Sequence, residues 1–169
     1  QKILGTLVDN QIQDADFAVS AQCNRVPVVD GHTETISLGL KQKASPEEIM
    51  KVMGAFRGMP QKLNLPSAPP QPLMIMEEAD RPQPARDVWL ENGMATLVGR
   101  VRPCPVLDIR MVVLGHNTVR GAAGAAVLNG EALYKLGLLG DTPGEGIDMK
   151  LLKRRAAALH ESHDLISQR

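Results

Sequence analysis

Four aromatic side chains, Phe17, Phe56, Trp89 and Tyr134, are all that these 169 residues contain. That is too few for a platform on which nucleic-acid bases could stack. Charge of one sign is missing as well: nineteen basic and nineteen acidic side chains cancel, which leaves no net attraction for a phosphate backbone. No apolar run approaches the ~20 residues that a bilayer-spanning helix needs. There are only two cysteines, Cys23 and Cys104, and without a signal-peptide pattern they are expected to be reduced thiols in a cytoplasmic protein. Nor does a GxGxxG follow a first strand, so a self-contained dinucleotide fold is not expected. His, Cys and carboxylates form no cluster with metal-ligand spacing. His160 and His163 stand three apart near the end of the chain but read as surface residues. What remains is an apolar share of 43%, enough for one globular domain with a sizeable core. No internal repeat is present.

The order of elements follows from pattern. Residues 17–29, rich in valine, and 33–40, which alternate, predict two strands joined at Asp30-Gly31. Ser45 with Glu48 is a capping-box signature and Pro46 suits a first helical turn, so a helix is expected over 46–57. Five prolines between 59 and 72 predict a rigid loop, and Pro82 and Pro84 predict another over 79–87. Residues 73–76, 94–102 and 106–115 predict strands, the last with Leu107, Ile109, Met111 and Val113 on one face. A helix over 119–137 should be capped by Asn117 or Thr118, and its glycines, Gly121 and Gly124, imply a close approach, more readily of packed neighbours than of a ligand. A final helix over 147–169 carries an apolar seam. Strands with interspersed helices and no βαβ rhythm indicate an α+β domain with a mixed, mainly antiparallel sheet. Residues 1–140 would form its body and 141–169 a helical extension of it.

Two side chains suggest chemistry. Arg25 offers a planar, permanently charged fork suited to a carboxylate. Seven positions on, His32 can exchange a proton near neutral pH. The pair suggests a site for a small acidic molecule, although an arginine and a histidine in neighbouring elements are more often structural or merely exposed.

Four stretches in order, SAQCNRVPVVDGHTE, RPQPARD, GRVRPCPVLD and GHNTVRGAAGAAVLN, resemble the fungal and archaeal branch of the aspartate-semialdehyde dehydrogenases, in their C-terminal substrate-binding and dimerisation domain. The resemblance implies a fold like the C-terminal domain of glyceraldehyde-3-phosphate-dehydrogenase-like enzymes, with a sheet used for dimerisation into a homodimer. It also implies that Arg25 grips the substrate carboxylate, that His32 is the general acid/base, and that Asn117 stands near the nicotinamide of bound NADP. Arg100 and Arg102 lie in matching segments without an implied catalytic role. Cys23 is not the family nucleophile and is expected to be a small buried side chain. Family members are about twice as long; their other domain supplies the dinucleotide site and the nucleophilic cysteine. No cofactor is therefore expected for this chain alone, and NADP only if that domain is supplied.

These departures favour a repurposed, single-domain enzyme that keeps an arginine anchor and a histidine proton carrier and performs an isomerase, cyclase or lyase step on a carboxylate- or carbonyl-bearing metabolite. The alternatives are the substrate and dimerisation portion of a genuine NADP-dependent aspartate-semialdehyde dehydrogenase, and a non-catalytic dimeric scaffold or regulator.

Overall fold

The computed structural model describes residues 1–139. The expected 141–169 extension and its helix lie outside the described residues. After one 3₁₀ turn, Lys2–Leu4, the chain forms a hairpin of β1 (Thr6–Val8) and β2 (Gln11–Gln13). Asp9 and Asn10 between them have φ of 48° and 63°, the left-handed pair that a two-residue turn between antiparallel strands requires. A four-stranded sheet carries the rest. It comprises β3 (His32–Leu38), β4 (Leu73–Met76), β5 (Thr96–Pro103) and β6 (Ile109–Gly115), in the order β3-β6-β5-β4. The β3–β6 and β5–β6 pairs are antiparallel and β4–β5 is parallel, so the sheet is mixed and mainly antiparallel, as expected.

Both faces of this sheet bury apolar side chains. On one, Ile109 and Met111 alternate inward beside Val98, and α1 (Pro46–Ala55) lays Ile49 and Met53 over them together with Ile36 and Ile75. The capping box forms as the sequence predicts: Glu48 N–H donates to Ser45 Oγ (3.2 Å) and Ser45 N–H to the Glu48 carboxylate (2.7 Å). On the other face, Leu97 and Leu114 are almost fully buried against Met74, Met76 and Leu90.

Two short helices interrupt the proline-rich loops, α2 (Met59–Lys62) and α3 (Pro84–Asp87), each with a proline in its first turn, where the missing N–H costs no bond. The expectation of pure loop there is thus corrected. The last described helix begins with one π-type turn, Val119–Ala123, and continues as α4 (Gly124–Lys135), which sets Leu128 and Ala132 on Met94 and Leu65. At Gly124 a Cβ would come within 2.3 Å of Met94 Sδ. Side-chain packing, not a ligand, explains that glycine.

A second correction concerns residues 17–29. They form no strand: the segment is exposed and joins no ladder. Pro27 has no N–H to give, and the segment's alternation is too weak to bury one face. Asp30-Gly31 is accordingly not a hairpin turn but the entry to β3.

Candidate functional site

The entry to β3 is built tightly. Gly31 adopts φ +108°, and a Cβ there would sit 3.0 Å from Leu114 Cδ1 and 3.3 Å from Val88 Cγ2. Only glycine holds this conformation without strain. Its N–H donates to Asn117 Oδ1 across 2.9 Å, a bond between residues 86 apart in sequence. His32, the next residue, is register-paired with Gly115, two residues before Asn117. The end of β6 and the start of β3 are therefore clamped together at the histidine.

Around this clamp lies a hollow of about 400 Å³ lined by Cys23, Asn24, Arg25, Val28, Gly31, His32 and Asn117, among others. Arg25, His32 and Asn117, the three residues singled out from sequence, thus border one space. Among the described residues no carboxylate lines it, so the fixed charge of Arg25 favours an anion there. Arg25 and His32 are exposed and Asn117 is half-buried. With Asn117 Oδ1 occupied by Gly31, its amide N–H groups are the part left to address a ligand. Cys23 is exposed and faces the same hollow, which corrects the expectation of a buried side chain: the strand meant to bury it does not form. A larger hollow of about 570 Å³ beside α2 holds Arg57 and Lys62, but one Arg57 amino group is engaged by the carbonyls of Gly54 and Phe56.

Two supporting groups escaped the sequence reading. His116, 3% exposed, accepts at Nδ1 from the N–H groups of Thr118 (3.2 Å) and Val119 (3.3 Å). The two acceptances place its proton on Nε2. It thereby caps the turn that Asn117 or Thr118 was expected to cap; Thr118 makes no side-chain cap bond, and Asn117 Oδ1 is given to Gly31. Trp89 packs edge-on against the imidazole, with ring centroids 4.3 Å apart. Asp87 is fully buried and holds Arg81 in a two-bond ion pair, Nε to Oδ2 at 2.7 Å, while also accepting from Gln83 N–H (2.6 Å). The Arg81 guanidinium, and next the Gln83 N–H, hold its carboxyl below the usual carboxylate range against the opposing effect of burial. This pair ties down α3, whose Pro84, with the adjoining Val88, packs beneath Gly31. Among the described residues no group of three His, Cys, Asp or Glu side chains could hold a metal, and no helix is long and apolar enough to cross a membrane.

The sequence matches the family described as the semialdehyde dehydrogenase dimerisation domain over residues 1–120. It is 46% identical over 136 residues to the aspartate-semialdehyde dehydrogenase of Methanothermobacter thermautotrophicus, covering 79% of this chain and 39% of that enzyme. With the Schizosaccharomyces pombe enzyme it shares 46% over 145 residues, 82% of this chain and 40% of the relative. The crystal structure of the Candida albicans aspartate semialdehyde dehydrogenase with NADP superposes with a TM-score of 0.75 at 39% identity, over 82% of this chain and 40% of that one. The chain thus spans about 40% of the length of these relatives. All three are dehydrogenases, which overturns the expectation of an isomerase, cyclase or lyase and favours the alternative of a dehydrogenase's substrate and dimerisation portion. An archaeal and a fungal sequence relative, a fungal structural one, a matched family and a shared α+β architecture agree: this chain belongs to the semialdehyde dehydrogenase dimerisation-domain family.

Proposed function

We propose that this chain supplies the substrate-holding and subunit-pairing portion of an NADP-dependent aspartate-semialdehyde dehydrogenase. The observation that carries the reading is the convergence of Arg25, His32 and Asn117 on one hollow that, among the described residues, no carboxylate lines. In it the Arg25 fork grips the substrate carboxylate by two parallel N–H bonds. His32, held at the start of β3 by the Gly31–Asn117 bond, receives and returns the proton that moves as the carbonyl carbon changes hybridisation. The half-buried Asn117 amide is a neutral donor suited to a carboxamide, so the site fits one edge of a nicotinamide. NADP, when bound, would supply the hydride acceptor. Nothing in these 169 residues carries the glycine-rich dinucleotide fingerprint. This chain on its own is therefore assigned no cofactor.

The decisive experiment puts residues 1–139 in place of the matching segment of the Candida albicans enzyme. The chimera should reduce NADP with the semialdehyde. His32→Ala should lower kcat by about 10²-fold or more, and Arg25→Ala should chiefly raise KM. A chimera whose kcat is unchanged by His32→Ala defeats the assignment.

Pairing of two copies through the sheet goes with this reading, as does a reducing compartment such as the cytoplasm, which suits two unbridged thiols.

A further inference from the structure

A row of side chains crosses the sheet where β3, β6 and β5 run together, and none of them lines the hollow around His32. Ser37 on β3 is register-paired with Arg110 on β6, and Arg110 in turn with Arg102 on β5. Paired residues of a sheet project from the same face, so a hydroxyl and two guanidinium groups stand in line. Arg100 joins them from the irregularity in β5 between Gly99 and Arg102, where it takes φ +54°. Such irregularities re-aim side chains.

Like charges placed directly opposite across a sheet repel. Among the described residues none of the three arginines is in an ion pair. Asp108, the acid closest in sequence, is committed elsewhere: it accepts from Leu40 N–H at 2.7 Å and pairs with Lys43. Among the described residues the buried Nε of Arg110 finds no hydrogen-bond partner. Arg102 spends one N–H on the carbonyl of Arg100. Partial burial and then the charges of Arg100 and Arg110 hold the Arg102 guanidinium below its ordinary range. Cys104 lies at the same end of the row, its thiol lowered first by the backbone N–H groups of Leu107 and Val106 and also by Ser37 and Arg110.

We propose that Ser37, Arg102 and Arg110, with Arg100 beside them, form a binding site for a small dianionic oxyanion of the phosphate or dicarboxylate class. Guanidinium forks match the oxygens of such ions in pairs, and a hydroxyl supplies a further donor. An external dianion relieves the repulsion between the arginines and gives their unused N–H groups acceptors.

The test is an NMR titration of the 169-residue chain at constant ionic strength. The Nε–Hε resonance of Arg110, or that of Arg102 in the Arg110→Gln variant, is followed as inorganic phosphate or, in a second arm, succinate is added. Saturable movement of that resonance is expected, and the tighter of the two ions names the chemical source. Affinity should fall about tenfold or more in Arg110→Gln and Arg102→Gln, and less in Ser37→Ala and Arg100→Gln, whose exposed side chains leave the fold untouched. If neither ion saturates the resonance, or if the bound ion is indifferent to all four substitutions, the site does not exist. If Arg110→Gln instead alters the mass in solution while neither ion titrates, the arginines meet a second copy of the chain and the proposal is overturned.

Discussion

At the residue scale, the hollow around His32 depends on Gly31 in its wall and on His116 and Asp87, which do not line it. Gly31→Ala puts a Cβ into a φ of +108° and against Leu114 and Val88. It should destabilise the fold by about 1–3 kcal/mol, read from denaturant unfolding, and displace the His32 resonances. His116 contributes an acceptor at Nδ1 rather than a charge. His116→Asn keeps an acceptor near that place and should retain most of the stability, whereas His116→Leu leaves two N–H groups unmet and should cost about 1–3 kcal/mol more. Equal stability of the two variants would contradict the capping role. Asp87 is the third. Its carboxyl titrates lower in the folded chain than in an unfolded one, chiefly because of Arg81. Its stabilising contribution is therefore complete above the unfolded value of ~3.9 and disappears as pH falls through the folded one. Asp87→Asn should cost about 3 kcal/mol at neutral pH and flatten the loss of stability below pH ~4. A variant with an unchanged acid profile would show that the pair does not govern it.

At the element scale, an element was legible where its signal lies within a few neighbouring residues. The Ser45–Glu48 box lies within four residues and predicted α1 from its chemistry alone. Ser45→Ala should lower stability by about 1 kcal/mol, measurable as a shifted urea midpoint with an unchanged slope. Alternation in 109–113 gave β6 its buried face because both neighbours, β3 and β5, are present to complete it. The valines of 17–29 carry a similar composition and form nothing regular, since a strand exists only by pairing. Conversely, prolines predicted loops at 59–72 and 79–87 and instead start two short helices, a reminder that proline forbids a helix interior but not its first turn. The cap before Val119 was assigned to the wrong neighbour for a related reason. Asn117 and His116 can both accept, and only the distant Gly31 N–H, 86 residues away, decides which one is free to cap.

At the scale of the whole molecule, the first thirty residues leave much apolar surface in water: Ile3 is 97% exposed and Val29 98%, with Leu4, Leu7 and Val19 also open. Surface of this kind is covered in an assembly. A concentration-dependent rise in mass toward two copies is expected in sedimentation of the chain. A strictly monomeric species at high concentration would remove subunit pairing from the proposal. The Arg25–His32 pair was legible as a candidate because the fork and the imidazole are identities that sequence displays directly. That they share a hollow with Asn117 was not legible from spacing, because it needs the end of β6 laid beside the start of β3. Residue identity and short-range pattern determined the composition of the domain, its capped helix and most of its strands, since these rest on contacts within a few positions. Which side chains meet was decided only by the tertiary structure: strand pairing brings together residues tens of positions apart, and no local rule encodes that choice.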